Sequence, residues 1–380
     1  MNGSTENGVV ITPVRGFGDL RRFVSLPYRL HAGTPWIPPL KLERYVFLNR
    51  RHNAYFSHGE AQYFLAARGG RVVGRITAQI DHAFNEFHKT RDGMFGFIEF
   101  EDDQEVVDAL LAAAEEWLRE RGCERMLGPM DFQLNDDSGV LIEGFELDPV
   151  IRQPWHPPYY QRRVEAAGLT KAMDLYSWWI DVADRANVLP ILPQVAERAR
   201  NRYGIKIRKM SRRHLRRDMD EFAKVYNAAW SSNWGFVPYS KEDLDDLALT
   251  YQLVYDRDWF MVAEIDGETI AAAITVPDIN QVLKKMKGRV LPLGWWHYLR
   301  RHRIINGVRV GFLGVLPEHQ HTGAAALLYM EHYDMAAKPP PKWGEASWIL
   351  ETNSAMNRGL EAMGGEIVKR YRVYERPLTG

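Results

Sequence analysis

Apolar residues recur along this chain as a fixed series of runs, and the series occurs twice. Tyr63-Phe-Leu-Ala-Ala-Arg-Gly-Gly-Arg-Val-Val-Gly-Arg-Ile-Thr-Ala returns as Trp259-Phe-Met-Val-Ala-Glu-Ile-Asp-Gly-Glu-Thr-Ile-Ala-Ala-Ala-Ile-Thr. Each pair of apolar runs meets at a glycine, Gly70 or Gly267, and predicts a β-hairpin. Downstream, Phe95-Gly-Phe-Ile-Glu-Phe100 answers Val310-Gly-Phe-Leu-Gly-Val315 as a buried strand, and strong helix formers follow each, over 104–121 and 323–337. The stretch 157–168 then answers 353–364, with aromatic strands after them at 175–180 and 371–374. The repeat predicts an α/β (α+β) chain built from two tandem mixed-sheet lobes with helices on both faces. The first lobe is expected over 9–180, a linking helix over 181–204 and the second lobe over 205–380. Residues 203–210 read as an edge strand.

The junction after the second strand carries the most specific chemistry. Pro317 stops the strand, and Gln320-His321-Thr322-Gly323-Ala324-Ala325 leads into the helix. A glycine and small alanines let the backbone approach a ligand, and the unpaired N–H groups at a helix start favour an anion such as a diphosphate. This hexapeptide resembles the pyrophosphate-binding signature of the GNAT acyltransferase superfamily through Gln320, Gly323 and Ala325. The resemblance implies coenzyme A as co-substrate, held by Val315, Gln320, His321, Thr322, Gly323, Ala324 and Ala325. Asn353 matches the asparagine that the superfamily places at the start of the next helix, and Gly364 the glycine beyond it. The first lobe has Glu101-Asp102-Asp103-Gln104 at the corresponding point. Acids there cap a helix but repel a phosphate, so the first lobe is not expected to hold coenzyme A.

For such a transferase an amine attacks a thioester directly, so the protein must position both partners and accept one proton. A splay after Gly314–Val315, like that of the family's fourth strand, would free N–H groups for the developing oxyanion. Glu351, at the end of the following strand, is the first candidate for the base. Glu318 and His319 rank behind it, and Glu99, Asp136, Asp137 and His156 of the first lobe are further candidates. The family pattern fails at one place, because Leu360 stands where many members carry a tyrosine that protonates the thiolate. Tyr374, with Tyr371, is the candidate substitute. No metal-ligand spacing and no Gly-x-Ser-x-Gly nucleophile motif is present.

Charge sums to zero over 380 residues but is uneven. Ten Lys/Arg and no acids lie within 198–217, and eight more lie within 279–317, again without an acid. The second block encloses Trp295, Trp296 and Tyr298 beside Arg300, Arg301 and Arg303. Aromatics with basic neighbours suit a bilayer headgroup region, the core of a lobe, or stacked bases. Near-neutral charge disfavours a dedicated nucleic-acid binder. One cysteine, Cys123, excludes an internal disulfide, and neither a secretory signal nor a membrane-length apolar run is visible. A cytoplasmic protein, peripheral on the inner membrane face, is the expectation. Phe100-Glu-Asp-Asp-Gln-Glu-Val, Gly128-Pro-Met, 135–145 and His156-Pro-Pro-Tyr-Tyr160 resemble a bacterial tandem-GNAT group that includes the bacterial ceramide synthases. That resemblance implies transfer of a long acyl chain from acyl-coenzyme A to a primary amine of a lipid-like acceptor, such as a sphingoid base. Acetylation of a small amine or a protein, and non-catalytic binding of acyl-coenzyme A, remain alternatives.

Overall fold

The structure, a computed structural model, describes residues 8–181, 185–338 and 342–378. Thirteen strands are present among them. In chain order they are β1 (Val10–Pro13), β2 (Gly59–Arg68), β3 (Arg71–Asp81), β4 (Asp92–Phe100), β5 (Arg125–Gly128), β6 (Val140–Glu143) and β7 (Thr170–Ile180). There follow β8 (Lys206–Lys209), β9 (Phe260–Ile265), β10 (Glu268–Pro277), β11 (Gly307–Val315), β12 (Trp343–Leu350) and β13 (Glu366–Pro377). The chain forms two compact units: Met1–Asp174 with Leu283–Trp295 and Lys369–Gly380, and Leu175–Val282 with Trp296–Val368.

In the first unit the strand order is β1-β2-β3-β4-β5-β13, with β6 beside β13. Every neighbouring pair is antiparallel except β4 and β5. Alternation along β2 sends Phe64 and Ala66 to one face and Tyr63 and Leu65 to the other, and each face carries its own core. On the first face lies the helix Gln104–Arg119, whose Val107, Leu110, Leu111, Ala114 and Leu118 recur at helical spacing and are all buried. On the second lies the helix Phe17–Leu30, which contributes Phe23 and Val24.

In the second unit the order is β7-β12-β11-β10-β9-β8, and only β11 and β12 are parallel. The middle of the sheet, Phe260 to Ala263 and Ala271 to Ile274, is buried on both faces. The helix Leu215–Ala229 packs Phe222 on Phe312 of β11, and the helix Ile191–Tyr203 packs against the helix Ala324–Ala336.

Both hairpins, both strand-to-helix junctions and the edge strand lie where the apolar pattern placed them. The compact units cut the chain differently from the order of the repeats. Residues 175–180 of the first copy pair with β12 in the second unit, and β13 of the second copy pairs with β5 and β6 in the first. Each copy's last strand completes the sheet of the other, which a reading of local pattern does not reveal.

Gly96 in β4 is fixed by contact, since a Cβ there would lie 1.9 Å from the Met130 carbonyl oxygen. Gly18, in the first turn of the helix Phe17–Leu30, has nothing within 4 Å of such a Cβ. Gly96→Ala should therefore cost about 2 kcal/mol or more, whereas Gly18→Ala should add about 0.5–1 kcal/mol. Urea unfolding midpoints of the two variants check both signs.

Candidate active site

Strands β11 and β12 run side by side for four pairs, from Gly307–Trp343 to Val310–Ala346, and then separate. β11 stays on β10 as far as Val315, with Gly311 as an extra residue between the pairs Thr275–Val310 and Ile274–Phe312. Beyond it, the Leu316 N–H donates to the Ile270 carbonyl at 2.9 Å. Two-residue alternation then turns the N–H groups of Leu313 and Val315 to the opposite edge, where the strands have parted. Among the described residues no strand pairs with that edge past Val310. The separation begins earlier than the expected Gly314–Val315, at the point where β12 also shifts its register on β7, between Ala346 and Ile349.

At the end of β11 the chain makes a short 3-10 turn, Pro317–Thr322, and enters the helix Ala324–Ala336 through Gly323 at φ +83. The first helical bond runs from the Leu327 N–H to the Gly323 carbonyl at 3.1 Å, so Ala325 and Ala326 present N–H groups at the helix end. Thr322 is buried and its hydroxyl donates to the His319 carbonyl at 2.7 Å. A Cβ on Gly323 would lie 2.7 Å from Val195 Cγ1. The glycine therefore serves its positive φ and the close packing of two helices, besides any ligand. Gln320 and His321 are exposed, and His321 lies edge-on to Tyr203 at 6.0 Å. Arg202 stands 5.7 Å from the same Tyr203 ring. Other members of the basic block are consumed by acids remote in sequence: Arg208 by Glu264 and Asp218, and Arg216 by Asp245.

Glu351 is half-buried just after β12. Asn353 caps the helix Ser354–Ala362, its side chain accepting the Met356 N–H at 3.1 Å. Val315, the residues from Gln320 to Ala325, Glu351 and Asn353 thus all belong to the second unit. Tyr374 does not. Its ring is fully buried in the first unit's core, and its hydroxyl donates to Glu165 at 3.0 Å. Burial, followed by the Glu165 charge, raises that phenol far above its ordinary value. The pattern of aromatic and basic residues on β13 had suggested a proton donor, but the side chain is a core group. Tyr329, hidden in the sequence among helix formers, is a phenol close to the helix Ser354–Ala362. Its hydroxyl lies 2.9 Å from Met356 Sδ and 3.0 Å from where a Gly359 Cβ would be, next to Leu360.

The first unit repeats the arrangement and fills it with its own chain. β4 and β5 pair from Asp92–Arg125 to Met94–Leu127 and then part. The segment after β5 enters the gap: the Met130 N–H donates to the Phe95 carbonyl at 2.8 Å, and the Phe97 N–H to Asp131 Oδ1 at 2.7 Å. Gln79 Nε2 holds the Met130 and Phe132 carbonyls at 2.8 and 3.1 Å, and Phe132 is fully buried. At the helix start Asp103 accepts the Glu105 N–H at 3.0 Å, Glu101 pairs with Arg29 and Arg71, and Asp102 with Arg163. Carboxylates of the chain occupy the place that suits an anion.

No protein-family model matches the chain. It is 36% identical over 386 residues to a protein of Caulobacter vibrioides named bacterial ceramide synthase, with 99% of each chain covered. It is 35% identical over 367 residues to the Escherichia coli protein YghO, covering 95% of this chain and 93% of that one. Among solved structures, a tandem GNAT protein from the clavulanic acid biosynthesis pathway aligns with TM-score 0.60 at 13% identity, covering 98% and 99% of the two chains. A GCN5-related N-acetyltransferase from Sphaerobacter thermophilus aligns with TM-score 0.54 at 11% identity, covering 98% and 96%. The chain belongs to the family of the bacterial ceramide synthase and YghO, and it has the tandem GNAT fold.

In this tandem GNAT fold the remaining acid–base candidates, Glu99, Asp136, Asp137 and His156, all lie in the first unit. Burial raises Asp136 to about 6, against the pull of Arg152 at 2.7 Å. Burial also pushes Asp131 upward, followed by the neighbouring Asp137 carboxylate. At Glu99 burial acts upward, but His31 and Arg75 outweigh it and hold the group at about 2. His156 accepts the Leu141 N–H at 3.2 Å, and burial lowers it to about 4. Among the described residues no group of His, Cys, Asp and Glu could hold a metal ion.

A histidine kept neutral by the fold makes stability fall with pH, because the unfolded chain takes up a proton below about 6.5 and the native state does not until about 4. Stability from this source is complete above pH 6.5 and lost on going down to 4, by up to about 3 kcal/mol. His156→Gln should flatten this acid limb in urea unfolding measured from pH 7 to 4. The limb set by Glu99 lies lower, between about 4.5 and 2, and should persist.

Proposed function

We propose that this enzyme transfers an acyl group from acyl-coenzyme A to the primary amine of a lipid-like acceptor, a sphingoid base being the acceptor suggested by the Caulobacter relative's name. The observation that carries the reading is the contrast between the units. The gap between β11 and β12 keeps unpaired N–H groups beside a glycine-led helix start, whereas the gap between β4 and β5 is filled. The diphosphate would rest on the N–H groups around Ala325, and the thioester between the parted strands.

The amine nitrogen attacks the thioester carbon, the C–N bond forms and the C–S bond breaks. The Leu313 and Val315 N–H groups would meet the oxygen that gains charge. Glu351 takes the proton released by the amine, and Tyr329 gives one to the departing thiolate. Burial raises the Tyr329 phenol, so it carries its proton at neutral pH. The alternative without chemistry, an acyl-coenzyme A binding protein, is separated by assaying thiol release and amide product with acyl chains and amines of different length. Amide from a long-chain amine is the expected product. Tight coenzyme A binding with no thiol released for any amine would overturn the assignment.

The enzyme is proposed to work at an anionic bilayer. No helix of the described residues is long and apolar enough to cross a membrane. Leu291 and Leu293 are 73% and 66% exposed and Trp295 and Trp296 45% and 48%, which supports a surface role over a core one for these residues. Arg300 lies over the Trp296 ring at 5.6 Å and Arg301 over Tyr298 at 4.7 Å, so cations and amphipathic rings share one short segment. Each basic contact at such a surface is worth about 1 kcal/mol and is screened by salt.

Three outcomes are expected. Ala325→Glu puts a carboxylate at the helix start without disturbing Gly323, and should weaken coenzyme A binding by about tenfold or more in calorimetry. Glu351→Gln should lower turnover by about 10²-fold with acyl-coenzyme A affinity kept. In sedimentation with vesicles, the native chain should need anionic lipid and low salt, and a Trp295→Ala, Trp296→Ala double variant should stay in the supernatant.

A further inference from the structure

Trp296, Leu299, Arg300 and Arg303 recur at helical spacing, so a continuous helix would present them on one face. The same helix would turn His302 about 240° from Trp296, away from that face. The chain instead breaks at Arg300, at φ −90 and ψ 10, between the helices Gly294–Leu299 and Arg301–Ile304. Across this break Trp296, Leu299, Arg300, His302 and Arg303, all of the second unit, line one cavity of about 450 Å³. That volume lies within the range of small-molecule sites.

The lining has no carboxylate. Among the described residues no acid forms an ion pair with Arg300 or Arg303. In the same unit Arg208 and Arg216 also come from a run without acids, yet the fold brings Glu264 and Asp245 to them. At the cavity the excess of cations in the sequence survives in space. Two guanidiniums and an imidazole N–H there suit a tetrahedral oxyanion, since each guanidinium offers two parallel N–H groups to a pair of oxygens. Arg301 is engaged elsewhere, lying over Tyr298 and donating to its carbonyl at 3.3 Å, and it is not part of the lining.

Trp296 and Leu299 make the apolar part of the wall and are 48% and 58% exposed. A phosphate carried on an apolar body fits both halves of this lining. Arg300 stands 5.6 Å from the Trp296 ring, the position that a quaternary ammonium would seek, and its charge repels one. A head with phosphate and no ammonium is therefore favoured over a zwitterionic one.

We propose that this cavity binds the phosphodiester head of one anionic phospholipid of the phosphatidylglycerol type. Arg300 and Arg303 hold the phosphate oxygens, His302 donates to a further oxygen of the head, and Trp296 and Leu299 lie against its glycerol. The inference rests on the bilayer reading for where the lipid is met, not for the existence of the site. Diffuse attraction to a charged surface depends on the number of cations, whereas this site depends on the shape of the guanidinium.

The test titrates the full chain calorimetrically with dihexanoylphosphatidylglycerol below its micelle concentration, and in parallel with dihexanoylphosphatidylcholine and inorganic phosphate. The native protein should bind one molecule of the glycerol lipid, about tenfold or more tighter than either other probe. An Arg300→Lys, Arg303→Lys double variant keeps both charges and loses both forks. Its affinity for the short lipid should fall by about tenfold or more, and its sedimentation with phosphatidylglycerol vesicles should fall too. Both side chains are exposed, and circular dichroism checks that the variant is folded. No binding of the short lipid by the native chain, or equal affinity in the variant, overturns the site. If the native chain still sediments with anionic vesicles in that case, the bilayer reading stands on diffuse charge alone. Inorganic phosphate bound as tightly as the lipid overturns the lipid as ligand. The predicted titrations without sedimentation of the native chain would uphold the site and overturn the bilayer reading.

Discussion

Two parallel strands that part company inside an otherwise antiparallel sheet create the constraint on which the rest of this molecule depends. Backbone N–H groups on the parted edges face no strand, and a buried peptide group without a partner costs free energy comparable to a lost hydrogen bond. The gap must be filled by something that accepts hydrogen bonds. In the first unit it is the chain itself: the Asp131 carboxylate accepts the Phe97 N–H, the Met130 N–H donates to the Phe95 carbonyl, and Gln79 Nε2 donates to the Met130 and Phe132 carbonyls and holds the segment in place. In the second unit no described strand takes the place beyond Val310.

The same substitution recurs at the helix that follows each gap. The first unit answers the positive helix end with Asp103, itself tied to Arg68. The second begins its helix at Gly323 with no side-chain cap. One unit is therefore closed at both points by its own residues, whereas in the other, among the described residues, no strand pairs past Val310 and no side chain caps the helix. The repeat has kept the fold in both copies, with an acid-capped helix start in one and a glycine-led, uncapped start in the other. The exchange of Trp230 on Gly314 for His31 on Glu99 is a further difference between the copies, with the polar contact in the copy whose gap is filled.

The sequence was legible where local pattern and structure coincide. Paired hairpins, buried strands ahead of Ala/Leu-rich helices, and the Gln320-to-Ala325 turn are all short-range signals, and each lies where it was expected. What stayed hidden needs distant partners. Met130 to Phe132 has no periodicity, so its place between strands could not be read from it. His31 and Glu99 are joined only by the register of β4 and by the end of a helix. Tyr374 read as a catalytic phenol because alternation on β13 does not tell which unit receives the strand. Arg208 and Arg216 of the first basic block looked free until Glu264 and Asp245 arrived from elsewhere. Gly323 shows the limit from the other side: a ligand-binding glycine and a packing glycine have the same sequence signature.

Hydrogen exchange of the full chain with and without coenzyme A is the most direct test of the contrast between the two gaps. Exchange slows wherever a ligand supplies the missing acceptors or suppresses local opening. Slowing is predicted over 311–316 and 320–328, and no change over 95–106 or 128–134. Protection in the first unit's segments, or none in the second unit's, would contradict the assignment of one filled and one ligand-binding gap.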